Sequence, residues 1–102
     1  MLKLTVYIPE THLEQVKGAL FEAGAGQYEG YDCCSWEVRG TGQFRPLRGS
    51  DPFLGVQGEV ERVTEYRVEM VLRDELVDAV RSALRRAHPY EVPAYDFAEI
   101  SL

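Results

Sequence analysis

The sequence predicts an α+β protein with a ferredoxin-like βαββαβ fold, in which two helices cover one face of a four-stranded antiparallel sheet. Three observations predict this fold: a strictly alternating apolar pattern at the start of the chain, two stretches with helical apolar spacing, and strand-like segments after each of them. Each helix needs a sheet on which to bury its apolar stripe. Because β-α-β crossovers are right-handed, both helices are expected on the same face.

The first half of this pattern begins with a strand and continues into a helix. Residues 2–8, LKLTVYI, alternate between apolar and polar side chains, which is typical of a half-buried strand. A helix is predicted over 11–23, where Thr11 and Glu14 have the spacing of a capping box. Gly24 is a suitable residue to end this helix.

The middle of the chain is predicted to form two strands joined by a long loop. Cys34, Trp36 and Val38 alternate with polar residues and indicate a strand near 31–39. Residues 40–58 contain five glycines and two prolines, and therefore predict a loop. A loop of this length in a compact domain is usually functional or mobile. The third strand is expected over 59–72.

The last part of the chain predicts a second helix and a final strand. Asp74 is a good N-cap, and acidic residues in the first turn with arginines in the last turn suit the helix dipole. Pro89 excludes helical geometry at His88 and therefore ends the helix. The final strand is expected over 92–100.

The composition limits the function classes. The 102 residues fit one domain, 1–102, and the formal net charge is −6. An acidic chain repels phosphate groups, so neither nucleic acid nor an anionic membrane surface is an expected partner. No apolar run approaches the roughly 20 residues of a membrane helix. The start of the chain has no signal-peptide pattern, and a cytoplasmic location is expected.

The two cysteines are adjacent, at positions 33 and 34. Neighbouring residues of a strand point to opposite faces, so these two are poorly placed to form a disulfide with each other. Free thiols fit a reducing compartment. The surrounding sequence is acidic, which disfavours a reactive thiolate, and at least one of the two side chains is expected in the core.

Four stretches carry a resemblance to a known family. HPYEVP, residues 88–93, resembles the segment after the second helix in the CutA divalent-cation-tolerance proteins. The chain as a whole is more similar to the domain inserted in YqfO-type proteins of the NGG-interacting-factor family. The stretches that carry this similarity are VYIPETHLEQVKGALFEAGAG, YDCCSWEVRGTGQFRPLRGSDPFLG, GEVERVTEYRVEMV and AHPYEVPAYDF.

This resemblance implies a CutA/PII-like fold and assembly into trimers. In the full-length YqfO-type proteins the inserted domain interrupts a larger domain that binds two metal ions. The metal ligands lie in the flanking lobes, which have no counterpart in this sequence. The resemblance therefore implies a stand-alone copy of the insert without the di-metal chemistry.

The HPYEVP segment offers two interpretations. The His88 imidazole and the Glu91 carboxylate, with Cys33 as a third group, could bind a divalent metal ion, which is the only cofactor suggested by the sequence. In the structural interpretation Pro89 stops the helix, His88 caps it, and Tyr90 packs. Two ligands alone seldom make a metal site, so the structural interpretation is favoured.

The glycine-rich loop also offers two interpretations. Backbone at Gly40 and Gly42, with Arg45, Arg48 and Tyr90 nearby, could bind an anion or a small ligand. The loop is also rich in apolar residues for a solvated segment, which favours an arm that packs or contacts another subunit.

These observations predict a non-catalytic, self-associating binding or regulatory module. No Ser-His-Asp order or paired-acid arrangement indicates an enzyme. A homo-oligomer is expected, with a trimer favoured over a dimer, and with a small-molecule ligand or a protein as a further partner. The first alternative is a CutA-like divalent-metal-binding protein, and the second is a small-molecule or anion sensor that binds at subunit clefts.

Overall fold

A computed structural model of the protein describes all 102 residues. The main elements are β1 (Leu2–Pro9), α1 (Leu13–Glu22), β2 (Trp36–Phe44), β3 (Glu61–Leu72), α2 (Val77–Ala87) and β4 (Tyr95–Glu99). The four strands form one sheet in the order β2-β3-β1-β4, and all neighbouring strands are antiparallel. This topology confirms the predicted ferredoxin-like fold. Neither helix is long and apolar enough to span a membrane.

The core lies between the two helices and the central strands. Alternation along β1 and β3 directs every second side chain towards the helices, and the helical spacing directs a stripe from each helix onto the sheet. Burial of each Leu or Val side chain contributes about 1.5–3 kcal/mol. The buried cluster consists of Leu4, Val6, Ile8, Val16, Leu20, Ala25, Val68, Met70, Leu72, Val80 and Leu84.

The first and last strands of the domain are neighbours in the sheet. Leu2 of β1 lies opposite Glu99 of β4 in the antiparallel register. Beyond β4, the Ile100 N–H donates to the Met1 carbonyl oxygen across 3.2 Å. Both ends of the chain therefore lie at one end of the sheet.

The β2–β3 hairpin is longer than the rest of the sheet. β1 pairs with β3 only as far as Glu65, whereas β2 continues to pair with β3 until Phe44 lies opposite Glu61. The outer part of the hairpin therefore projects beyond β1. The molecule measures 46 Å along its longest axis, against 24 and 23 Å along the others.

The helix starts differ from the prediction. A single 3₁₀ turn precedes each helix, Glu10–His12 and Asp74–Leu76, and no side chain caps either α-helix. The Thr11 hydroxyl group lies 2.8 Å from His12 Nδ1 instead of bonding to the helix backbone. Asp74 forms an ion pair with the amino group of Met1 at 2.9 Å. The two capping predictions were therefore wrong.

The second strand begins later than the prediction of 31–39. Residue 34 of a longer β2 would lie opposite Val71, because Trp36 lies opposite Glu69. The Val71 carbonyl oxygen instead accepts a hydrogen bond from the Gly26 N–H across 2.8 Å, and the Gly26 carbonyl oxygen accepts one from the Cys34 N–H at 2.8 Å. Residues 26 and 34 are thus hydrogen-bonded within the turn and to Val71, so the backbone groups that a longer β2 would pair with are already occupied.

The loop predicted over 40–58 is shorter in the structure, because its first residues belong to β2. Residues 40–44 continue the strand, and β3 starts at Glu61 rather than 59, so the connecting loop spans 45–60. Gly40 and Gly42 fit a strand because neither has a positive φ angle. The last strand is shorter than the predicted 92–100, since Tyr95–Glu99 alone pairs with β1.

Candidate functional site

The sheet face that points away from the helices is open. Three large apolar residues on it are exposed: Tyr7 by 37%, Trp36 by 59% and Val38 by 45%. Between them lie charged side chains of β3, with Arg67 paired to Glu69 across 2.9 Å. Register places Val38 and Tyr7 on either side of Arg67, and Trp36 beside Glu69. The open face therefore combines an apolar surface with internally paired charges.

His88 fixes the HPYEVP segment to β1. Its backbone N–H donates to the Leu84 carbonyl oxygen across 2.8 Å and so caps α2. Its ring accepts the Tyr90 N–H at Nδ1, 3.1 Å away, so the proton lies on Nε2, which donates to the Tyr7 carbonyl oxygen across 2.7 Å. Burial of this side chain lowers the pKa of His88, although the nearby Glu65 carboxylate favours the charged form. His88 is thus a neutral, fully bonded residue.

Tyr90 connects the same segment to β3. Its hydroxyl group donates to Glu65 Oε2 across 2.8 Å, and its ring contacts the His88 ring with centroids 4.9 Å apart. Burial and the Glu65 carboxylate raise the pKa of Tyr90. The structural interpretation of HPYEVP expected Tyr90 to pack, so this hydrogen bond is an addition to that interpretation.

Glu65 lies over a glycine of the neighbouring strand. It is half-buried and forms no ion pair. A Cβ atom added at Gly42 would collide with the Glu65 carboxylate. The missing side chain at position 42 therefore allows this carboxylate to lie against β2 and reach Tyr90.

The 45–60 loop folds back over Tyr90. Phe53 contacts the His12 ring edge-on at 5.4 Å and the Tyr90 ring at 6.4 Å, both between ring centroids. The Asp51 N–H donates to Glu91 Oε1 across 3.2 Å. These contacts close the loop over the segment that follows α2.

A cavity of about 270 Å³ lies between this loop and residues 90–94. Its aromatic walls are Phe44, Phe53 and Tyr90, and its charged lining groups are Glu65 and Glu91. No lysine, arginine or histidine lines it. We refer to this space as the loop cavity.

The proposed metal ligands are not gathered at one point. Both ring nitrogens of His88 have partners within the protein, and Glu91 accepts the hydrogen bond from the loop. Cys33 is exposed in the turn before β2, and neither cysteine belongs to the core, contrary to expectation. No three His, Cys, Asp or Glu side chains are close enough to hold a metal ion together. The metal site stays a prediction.

The proposed anion-binding residues are also separated. Gly40 and Gly42 lie in β2, and the group placed beside Gly42 is the Glu65 carboxylate. Arg45 and Arg48 are exposed and form no ion pair. Tyr90 faces Glu65 instead of an arginine. Anion binding by this loop stays a prediction.

Sequence reasoning missed two residues of the loop cavity. Glu65 lies in the predicted third strand and Phe53 in the predicted loop, and neither was predicted to be a site residue. No local pattern pairs either of them with Tyr90, because these contacts join segments far apart in the chain.

No family model matches the chain, but individual proteins do. The GTP cyclohydrolase 1 type 2 homolog of Mycobacterium leprae is 50% identical over 94 residues, which cover 92% of this chain and 24% of that protein. A solved structure of a Bacillus cereus protein related to NIF3 superposes with a TM-score of 0.81 at 41% identity, covering 94% of this chain and 24% of that one. The chain thus spans about a quarter of the length of the relatives it matches. These matches confirm the resemblance to a domain of YqfO-type proteins.

A second group of structures shares the fold. The PII-like protein CutA from Nostoc sp. superposes with a TM-score of 0.69 at 17% identity, and covers 98% of this chain and 81% of that one. At this identity the match shows the fold alone, which is CutA/PII-like as predicted.

Proposed function

We propose that the protein is a non-catalytic module that self-associates through the open face of its sheet. The observation that carries this proposal is the exposure of Trp36 by 59%, with Val38 and Tyr7 exposed beside it on the same face. Large apolar side chains grouped in this way mark interaction surfaces in small domains. The partner at the open face is another copy of the same chain, and a trimer is favoured over a dimer.

The outer edge of the sheet supports the same proposal. β2 pairs with β3 on one side only, so its other side presents backbone N–H and C=O groups without strand partners. Closed symmetry would cover this edge and the exposed Trp36 together. The CutA/PII-like fold supports assembly into a trimer, because the resemblance to that group implies this state.

The absence of a catalytic role is part of the proposal. His88 is buried, and both of its ring nitrogens are engaged, so it has no free nitrogen with which to accept a proton from a substrate. The name of the Mycobacterium leprae relative refers to a protein about four times as long. We place no step of a cyclohydrolase reaction in this domain.

Light scattering of the purified protein at micromolar concentration tests the proposal. We expect a multiple of the 11.6 kDa chain mass. Trp36→Lys should shift the mass towards the monomer, because a buried unpaired ammonium group opposes association. Tyr31→Lys is the matched control, since Tyr31 is an exposed aromatic residue in the turn before the sheet and is 74% exposed. A monomeric wild type, or a Trp36→Lys variant of unchanged mass, would contradict the proposal.

A further inference from the structure

We infer that the loop cavity binds a small organic cation, namely an ammonium group that carries an apolar body. None of the three exposed residues of the open face lines this cavity. Ligand binding and self-association therefore rest on different residues, and either could fail without the other.

The walls of the cavity favour an apolar cation. The Tyr90 ring lies 5.9 Å from the Phe44 ring and 6.4 Å from the Phe53 ring, measured between centroids. Ring faces carry negative electrostatic potential and attract cations, more strongly where the site is shielded from water. A bare metal ion gains little from such walls, whereas an alkylated ammonium group contacts them over its whole surface.

The charge of the cavity has one sign. Glu65 and Glu91 are its charged lining groups, and the polar remainder includes the neutral side chains of Gln43 and Ser50. Glu65 has no basic partner, and its one hydrogen-bond donor is the neutral Tyr90 hydroxyl group. A half-buried carboxylate without a counter-charge is costly, so a bound cation would offset its desolvation. An anion of the same size would be repelled.

The carboxylate of Glu65 is held in place. The bare backbone at Gly42 provides the space in which it lies, and the Tyr90 hydroxyl group fixes Oε2. Glu91 is exposed, and its Oε1 accepts a hydrogen bond from the Asp51 N–H of the loop. Ligand groups that meet preorganised partners lose less free energy to ordering on binding.

Choline and its neutral carbon analogue 3,3-dimethylbutan-1-ol test the inference, because they share one shape and differ in charge. Titration of the wild-type protein is followed by NMR chemical shifts of the backbone amides at Phe44, Phe53 and Glu91. We expect choline to shift these amides and to bind at least about tenfold more tightly than the alcohol, which corresponds to about 1.4 kcal/mol. Equal affinities, a preference for 3,3-dimethylbutanoate, or the absence of shifts at these amides would overturn the inference.

A variant pair tests the role of the carboxylate. Glu65→Gln keeps the size of the side chain and an oxygen for Tyr90, and should lower choline affinity towards that of the alcohol, while Glu91 keeps its charge. Glu99→Gln makes the same change at an exposed residue of β4 and should leave the affinity unchanged. Undiminished binding by Glu65→Gln, with the same amides shifted, would also overturn the inference. The comparison of ligands on the wild type decides the matter if this variant fails to fold.

Discussion

The Tyr90 hydroxyl group donates to Glu65 Oε2 across 2.8 Å and so joins the segment after α2 to the middle of β3. The Tyr90 N–H bonds to His88 Nδ1, and His88 Nε2 bonds to the Tyr7 carbonyl oxygen. One chain of hydrogen bonds therefore links β3, the segment after α2 and β1.

The first prediction concerns Gly42. Gly40→Ala should stabilise the protein by about 0.5–1 kcal/mol, because alanine loses less entropy than glycine and nothing lies near the added methyl group. Gly42→Ala should lack this gain and be less stable than Gly40→Ala by about 1 kcal/mol, since the methyl group displaces the Glu65 carboxylate from Tyr90. Urea denaturation of the two variants measures the difference.

A Tyr90→Phe background separates this mechanism from a general effect at position 42. Without the hydroxyl group, the difference between the two alanine variants should shrink, because the bond that Gly42→Ala breaks is already gone. A difference that stays the same would show that the Glu65–Tyr90 bond is not its cause.

The second prediction concerns acid stability. Burial lowers the pKa of His88 below the value of about 6.5 for an unfolded histidine, although the hydrogen bond to the Tyr7 carbonyl oxygen and the Glu65 carboxylate act in the opposite direction. At a pH between the lowered value and about 6.5, the unfolded chain binds more protons than the folded one. The free energy of unfolding should therefore decrease as the pH falls below about 6.5.

The two histidines allow a matched comparison. His88→Gln removes the buried titrating group, so its free energy of unfolding should change less than that of the wild type between about pH 7 and 5. His12→Gln should retain most of the wild-type dependence. The prediction is wrong if His88→Gln and the wild type have equal slopes in urea unfolding across this range.

The third prediction concerns metal. We expect no tight stoichiometric binding of a divalent ion by the wild type, because a metal at His88 would have to replace a hydrogen bond to Tyr7 or Tyr90. Calorimetric titration with Zn²⁺ measures this. A sub-micromolar site that His88→Ala weakens by about tenfold, or about 1.4 kcal/mol, would instead support the metal-binding alternative.

The fourth prediction concerns the loop. Phe53→Ala removes the ring contacts with His12 and Tyr90, so amides of residues 45–60 should exchange with solvent faster while those of the sheet keep their rates. Leu47→Ala is the control, because Leu47 is 62% exposed in the same loop. Equal exchange rates in the two variants would show that Phe53 does not hold the loop closed.

Local patterns were sufficient to predict the fold. Alternation along the first strand placed Leu4, Val6 and Ile8 in the core, where all three are fully buried. The start of β2 could not be predicted in this way, since it depends on the bond from Gly26 to Val71, which joins distant segments. Burial periodicity indicates which face of the sheet a residue occupies. It does not indicate where the backbone of the neighbouring strand is already hydrogen-bonded to another segment.

Only one part of the candidate site, the HPYEVP segment, could be predicted from the sequence. The HPYEVP segment stood out because prolines, His88 and Tyr90 follow a clear helix. The partners of these residues belong to other elements: Glu65 to β3 and Phe53 to the loop. Such contacts arise only in the folded chain, so the sequence favoured the structural interpretation of this segment without indicating Glu65 or Phe53 as partners.

The pairing of Leu2 with Glu99 has a consequence for the way the domain can be connected. Adjacent strands lie about 4.8 Å apart, so a few residues could link the two ends, and closing so short a loop requires little entropy. New ends could then be opened in the 45–60 loop without cutting any strand. Because the two ends are close together, the domain could also be inserted into a surface turn of a longer polypeptide without separating the residues on either side of the insertion. The sheet that holds this protein together thus also makes it suited to circular permutation and to transfer between host chains.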